Sequence, residues 1–233
     1  MDKKELNQIC YLCGNPFLLD EENINRDHVP PRQFFADEIR KNHNPNLLTL
    51  PVHKNCNSSY QIDEDYLANS LVPFAIGSYS ANAYFLEMKE NIKKGKKLGL
   101  MFKIVKEFEF RPSGLYLPNN KMIKRMEGKR IQRVIWKIVR GLYFYHFNHV
   151  IPETLKGDFR VIFPGDQIPP DFADIVSEPT HGKYPGVFDY RFIKIPDSLE
   201  NNLYNYHYWA LLLWDKILFL VVFQYPHIDF LAN

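Results

Sequence analysis

The sequence predicts an α+β fold in two parts, and three observations support this prediction. All three cysteines lie within the first 56 residues, where they form two equally spaced pairs together with a histidine. An amphipathic pattern at residues 120–143 predicts a long helix. Short alternating and apolar runs in the last third of the chain predict strands. We therefore expect a small module at residues 1–75, followed by a helical and β-rich region at residues 76–233.

The predicted elements follow from the spacing of apolar residues. Between residues 120 and 143, apolar side chains recur every three or four positions and basic side chains fill the other faces. Residues 102–110 alternate partially and are expected to begin a β-hairpin. Trp136 and the aromatic residues 143–145 are expected to pack in the core and not to stack on bases. The remaining predicted strands are residues 159–163, 187–195, 208–214 and 217–223, the last two joined by a turn at 215–216.

The N-terminal module is organised around one predicted zinc site. Cys10 and Cys13 are three residues apart, and His53 and Cys56 repeat this spacing. Two such pairs supply the four ligands of a tetrahedral Cys₃His site that binds structural Zn²⁺. Gly14 suits the tight turn of a zinc knuckle after the first pair, because glycine tolerates a positive φ. The second pair fits the first turn of a helix, where residues three apart share a face.

A polar pair that zinc does not need lies between the two halves of this site. Asp27 and His28 precede a double proline, which predicts the end of a strand. A histidine beside an aspartate can activate water while the carboxylate holds a hard divalent cation. Asn57 is expected to point into the same space, and Asn46 to pin the intervening loop through side-chain hydrogen bonds. The alternative is a polar surface loop without a catalytic role.

These motifs together resemble the HNH, or ββα-metal, nuclease family, in its zinc-containing DHVPP-type bacterial branch. The resemblance is carried by the CxxC motif at residues 10–13, the DHVP sequence at residues 27–30, and the HxxCN motif at residues 53–57. It covers the first third of the chain. It implies a treble-clef-like ββα module that hydrolyses phosphodiester bonds.

The resemblance also implies a role for each polar residue. His28 would be the general base that activates water, and Asp27 would be a ligand of a catalytic Mg²⁺ or Mn²⁺ ion. Asn57 stands where the family often has its second histidine and would help to hold that ion. Asn46 would be the middle asparagine of the motif, although it lies further from the second zinc pair than is usual. A carboxylate of the acidic cluster Asp63-Glu64-Asp65 is a further candidate for the metal site.

The net charge of +2 conceals a strong asymmetry along the chain. Residues 88–140 contain 16 basic and 4 acidic side chains, whereas residues 1–75 contain 7 and 11, and residues 141–233 contain 6 and 11. Such a basic block is typical of a surface that binds phosphates. The alternative is a solvated helix face whose lysines provide solubility. The side chains predicted to contact nucleic acid are Lys121, Lys124, Arg125, Lys129, Arg130, Arg133, Lys137 and Arg140.

Other features narrow the class of protein. The sequence contains no internal repeat, glycine-rich phosphate loop, nucleophile elbow or Rossmann fingerprint. The remaining histidines lack ligand spacing and are expected to be structural or exposed; they include His146, His149, His181, His207 and His227.

The cellular compartment is predicted from three features of the sequence. The N-terminus has no apolar run of the secretory type, and one metal site explains all the cysteines, which indicates a reducing compartment. Residues 208–223 are too short for a membrane span and carry Asp215 and Lys216 at their centre. We expect a cytoplasmic protein without a membrane partner.

Three hypotheses for function follow. The first is a metal-dependent HNH endonuclease that acts on DNA, with RNA left open. The second is a zinc-stabilised nucleic-acid-binding module without catalysis. The third is an effector subunit of a phage-defence complex, docked through the basic helix and the C-terminal sheet. Because an HNH centre cuts one strand at a time, double-strand cleavage would require a homodimer or two successive events.

Overall fold

The protein has mixed α-helical and β-strand structure. The structure is a computed structural model, and it describes residues 9–18, 23–43, 47–109, 114, 118, 121–155, 157–184, 186–196 and 204–226. The helices are α1 Asp37–His43, α2 Lys54–Ser58, α3 Gln61–Leu71, α4 Tyr79–Lys93, α5 Leu98–Lys106 and α6 Gly128–Phe147. The strands are β1 Ile24–Val29, β2 Leu48–His53, β3 Phe108–Glu109, β4 Ile123–Lys124, β5 Asp158–Ile162, β6 His181–Tyr184, β7 Phe188–Pro196, β8 Tyr204–Leu213 and β9 Ile217–Pro226. The α+β class is confirmed, and the HNH-type ββα fold stays a prediction.

The N-terminal module contains two antiparallel strands followed directly by a short helix. β1 pairs with β2 so that Asp27 lies opposite Leu50 and His28 lies opposite Thr49. Asp27 and Val29 are buried, whereas His28 between them is half-buried, because successive side chains of a strand point to opposite faces. β1 therefore directs Asp27 into the protein and His28 away from it.

α6 lies between this module and the C-terminal sheet. It packs against α3 and β1, and its apolar face is buried. Gly141 permits a close approach to β1, because a Cβ atom at this position would lie 2.8 Å from a methyl carbon of Val29 and 3.3 Å from the ring of Tyr11. On its other side, Trp136 contacts the ring of Phe223 in β9. The helix thus joins the two parts of the chain.

The C-terminal strands form one antiparallel sheet in the order β5-β9-β8-β7-β6. Alternate residues of β8 and β9 face α6, including Trp209, Leu211 and Phe219. The opposite face carries a smaller apolar cluster that Phe172 and Ile175 cover. The main apolar cluster runs from Cys10 to Tyr225, so packing is continuous across residue 75. The division into two parts stays a prediction.

The turn between β8 and β9 ties the sheet to the N-terminal module. Trp214 and Asp215 adopt left-handed φ values of 53° and 56°. Trp214 is fully buried, and its indole N–H donates to the carbonyl of Phe34 at 3.0 Å. The connection spans residues 214–216 and not the two residues expected, because Leu213 pairs with Ile217.

Two predicted elements differ from the structure. The helix expected at residues 120–143 begins at Gly128 and ends at Phe147, because residues 123–124 pair with β3 instead. The strand expected to begin a hairpin at residues 102–110 is wrong at residues 102–106, which belong to α5, whereas residues 108–109 form β3. Leu98, Met101 and Ile104 also recur at helical spacing, and a short apolar run fits both periods.

None of the helices in the described ranges is long and apolar enough to cross a membrane. The apolar run at residues 208–223 lies in β8 and β9, as the sequence predicts.

Replacing Gly141 with alanine is expected to lower the free energy of unfolding by about 1–3 kcal/mol, because overpacking would push α6 away from β1. Gly128→Ala in the same helix is the control, because no described atom outside the adjoining residues and backbone of its own helix lies within 4 Å of its Cβ position. The control is expected to change stability little, or to raise it by about 0.4–1 kcal/mol. Urea denaturation measures both values, and equal effects of the two substitutions would contradict the close approach.

His207 should make stability depend on pH. Burial lowers the pKa of His207 to about 3. The unfolded chain takes up a proton at His207 below a pKa of about 6.5, whereas the folded protein takes it up only near pH 3. The contribution of neutral His207 to the free energy of unfolding is therefore complete above pH 6.5 and is lost as the pH falls toward 3. Between pH 6 and pH 5, wild type is expected to lose about 1 kcal/mol more unfolding free energy than His207→Phe. Parallel stability–pH curves from urea denaturation would contradict this.

Candidate metal centre and adjoining polar site

The four predicted zinc ligands form one cluster. One ligand atom from each of Cys10, Cys13, His53 and Cys56 lies within 4.8 Å of all the others. Cys13 Sγ lies 3.3 Å from His53 Nδ1. The thiol and imidazole donors suit zinc. The cluster can therefore bind a structural metal such as zinc, as predicted from the spacing.

Local backbone structure positions these ligands. The first pair lies on a tight turn in which Gly14 N–H donates to the carbonyl of Cys10 at 2.8 Å. Gly14 has a φ of 75°, as the prediction of a knuckle requires. His53 is the last residue of β2, and Cys56 lies in α2. The pairs thus join the knuckle to the strand–helix junction.

Two thiols of this cluster, those of Cys10 and Cys56, have raised pKa values, which favour their protonated form. Burial and the neighbouring Cys10 and Cys13 thiols together raise the pKa of Cys56 to about 12. Burial also raises the pKa of Cys10. A bound Zn²⁺ ion would replace these protons and remove the repulsion between thiolates.

Replacing His53 with alanine is expected to reduce bound zinc from one ion per chain to well below one, because three ligands would remain. It is also expected to lower the melting temperature of the zinc-loaded protein. His149→Ala is the control, because His149 is not one of the four ligands and bonds to the hydroxyl of Tyr225. Elemental analysis and thermal unfolding measure both effects, and full zinc content in His53→Ala would contradict the ligand set.

Asp27 and Asn57 meet at a buried lysine. Asp27 Oδ2 accepts a hydrogen bond from the hydroxyl of Tyr11 and lies 2.8 Å from Lys137 Nζ. The same ammonium donates to Asn57 Oδ1 at 3.2 Å. Both Asp27 and Lys137 are almost fully buried. The structure therefore brings together the two residues that the sequence predicts to share a cation, and the group between them is an ammonium.

Glu64 is the member of the acidic cluster that reaches this site. Its Oε1 atom lies 2.5 Å from Lys137 Nζ, and its Oε2 atom accepts a hydrogen bond from Gln33 at 2.6 Å. Burial raises the pKa of Glu64, and the ammonium of Lys137 opposes that shift. Asp63 instead pairs with two arginines of α6, and Asp65 pairs with Lys97.

His28 lies beside this site in an environment that keeps its ring neutral. Burial lowers the pKa of His28, and the positive charges of Arg32, Lys137 and Arg40 lower it further. The carboxylate of Asp27 has the opposite effect. A neutral imidazole can accept a proton, which is the role that the sequence predicts. Asn46 lies outside the described residues, so its predicted role stays a prediction.

The predicted nucleic-acid-binding residues differ in their burial and in their partners. Lys137 and Arg140 are buried, and Arg140 donates to the carbonyls of Leu12 and Ile151. Four others are engaged by carboxylates: Lys124 by Glu107, Arg125 by Glu109, and both Arg130 and Arg133 by Asp63. The exposed members are Lys121, Arg125 and Lys129. Contact with nucleic acid stays a prediction for all eight.

The sequence did not predict that Tyr11, Gln33 and Lys137 contribute to the polar site. A signal for Lys137 was present, because it lies three residues after the buried Val134 and four before Gly141, on the buried stripe of α6. Tyr11 carried no comparable signal, since it lies between two cysteines in a turn.

No protein-family model, curated protein or solved structure matches this chain. The resemblance to HNH nucleases therefore rests on the motifs alone, and membership of that family stays a prediction.

Proposed function

We propose that the N-terminal module hydrolyses phosphodiester bonds of nucleic acid, with His28 as the general base. One observation carries the proposal: a neutral, half-buried histidine lies among the positive charges of Arg32, Arg40 and Lys137. These charges help to keep the base unprotonated, and the two arginines, whose side chains reach the surface, favour an anionic substrate. The DHVPP-type motif at residues 27–31 supports the same reaction by resemblance.

In the proposed reaction, His28 removes a proton from a water molecule while the water oxygen attacks phosphorus. The bond between phosphorus and the leaving oxygen breaks, and that oxygen takes a proton from solvent. Arg32 is exposed, so its guanidinium group can oppose the charge on the non-bridging oxygens, whereas Arg40 is partly exposed and pairs with Asp37. Asp27 is fixed by Tyr11 and Lys137, and it holds the strand end that carries His28.

The catalytic Mg²⁺ or Mn²⁺ ion expected from the resemblance does not fit the site as it stands. Asp27 and Asn57 offer oxygen atoms, which are the ligands that such ions prefer. Both residues are already engaged by the ammonium of Lys137. We therefore assign no step of the proposed reaction to a divalent ion.

DNA is the proposed substrate, and the exposed Lys121, Arg125 and Lys129 are proposed to contact its phosphates. A zinc-stabilised binding module without catalysis is the second candidate. It is favoured by the contact of Lys137 with Asp27 and Asn57, which would give both residues a structural role. A homodimer, a phage-defence complex and a cytoplasmic location stay predictions.

The test is cleavage of supercoiled plasmid by zinc-loaded protein, with and without added Mn²⁺. His28→Ala is expected to lower the cleavage rate by about 100-fold or more, since general bases contribute at least this factor. His149→Ala should cut as wild type does. All three proteins need equal zinc content.

Equal cleavage by wild type and His28→Ala would contradict the assigned base. If neither protein cuts but both shift the DNA in a gel, the binding module replaces the hydrolase as the better proposal. Single-stranded DNA and RNA tested beside the plasmid identify the substrate class.

A further inference from the structure

The ammonium of Lys137 has three oxygen partners. Its Nζ atom lies 2.5 Å from Glu64 Oε1, 2.8 Å from Asp27 Oδ2 and 3.2 Å from Asn57 Oδ1. A lysine ammonium has three N–H donors, so these oxygens match its full hydrogen-bonding capacity. Two of the partners carry negative charge. The ammonium is therefore bound as a cation and is not merely buried.

The same three side chains form a typical ligand set for a hard divalent cation. Mg²⁺ and Mn²⁺ prefer carboxylate and amide oxygens, with ligand distances of about 2.1 Å for Mg²⁺. An ion at the point where Asp27, Asn57 and Glu64 converge would occupy the place of Lys137 Nζ. Two cations held by the same oxygens would repel each other strongly in a buried site. The divalent ion and the ammonium of Lys137 therefore cannot occupy the site at the same time.

The fold holds Lys137 in place. It lies in the middle of α6, and only 1% of its surface is exposed. α6 cannot withdraw without losing the close packing of Gly141 against Val29. An ammonium displaced from these oxygens would remain in a buried environment without partners, which is unfavourable. The site therefore favours the ammonium over an ion from solution.

We propose that Lys137 is the resident cation of this site and takes the place of a catalytic divalent ion. Its positive charge compensates one of the two negative charges of Asp27 and Glu64, and it fixes the amide of Asn57. The site consequently excludes Mg²⁺ and Mn²⁺, while zinc is held separately by the Cys₃His cluster. This assignment of the cation does not depend on the proposed hydrolysis; only its corollary, cleavage without a divalent ion, rests on that function.

The direct test is titration of zinc-loaded, full-length protein with Mn²⁺, followed by electron paramagnetic resonance and calorimetry. Wild type is expected to bind no Mn²⁺ at this site at millimolar concentration. Lys137→Ala is expected to bind one Mn²⁺ ion at least about 100-fold more tightly, because two buried carboxylates lose their counter-charge. Lys216→Ala, which removes an exposed lysine from the β8–β9 turn, should behave as wild type.

A second variant checks which oxygens hold the ion. Adding Glu64→Gln to Lys137→Ala is expected to abolish the new Mn²⁺ site, because it removes one of the two carboxylates. If Lys137→Ala does not fold in the absence of Mn²⁺, recovery of its folded circular dichroism spectrum on adding Mn²⁺ supports the proposal. The titration of wild type requires no variant to fold.

Binding of one Mn²⁺ ion by wild type, with loss of that ion in Asp27→Asn, would overturn the proposal. So would the absence of any gain in Mn²⁺ affinity in a folded Lys137→Ala protein.

Plasmid cleavage separates this inference from the proposed function. A wild type that binds no Mn²⁺ and cuts no DNA supports the resident cation and removes the hydrolase. If the wild-type protein binds Mn²⁺ at Asp27 and cuts only in its presence, the resident cation is overturned and the hydrolase is supported.

Discussion

The contact of one buried ammonium with two carboxylates is the constraint on which the N-terminal half of the structure depends. Lys137 in α6 joins Asp27 in β1, Asn57 in α2 and Glu64 in α3. Removing one partner from a buried ion pair leaves an uncompensated charge, which costs about 3–5 kcal/mol. The four elements must therefore keep their relative positions. The strand end that carries His28 is fixed as a result.

The metal cluster and the polar site are linked through the zinc knuckle. Tyr11 lies between the two knuckle cysteines, and its hydroxyl donates to Asp27. The next residue, Leu12, accepts a hydrogen bond from the buried Arg140 of α6. Metal binding to the cluster would thus order the same backbone that supports the polar site. We regard the two sites as one structural unit. The Cys₃His cluster restrains the backbone, and the polar site fixes the positions of the charged side chains.

The C-terminal sheet supports this unit from the other side of α6. The aromatic residues Trp136 and Tyr143 of the helix contact the ring of Phe223 in the sheet. Trp214 reaches further and bonds to the carbonyl of Phe34, close to the double proline after His28. Stacking and edge contacts of this kind fix the orientation of a helix as well as its burial. The sheet therefore contributes to the site by fixing α6, and with it Lys137.

The sequence by itself determined the α+β class, the Cys₃His cluster and most strands of the sheet, because ligand spacing and alternation are local patterns. It also put Asp27 and His28 at a strand end. Only the tertiary structure decided that Lys137 is a buried cation and not part of a phosphate-binding surface. Its partners Asn57 and Glu64 lie 80 and 73 residues away, and no local pattern reports which distant carboxylate a lysine will meet. Charge counted along the chain records how many cations there are, whereas packing decides which of them face solvent.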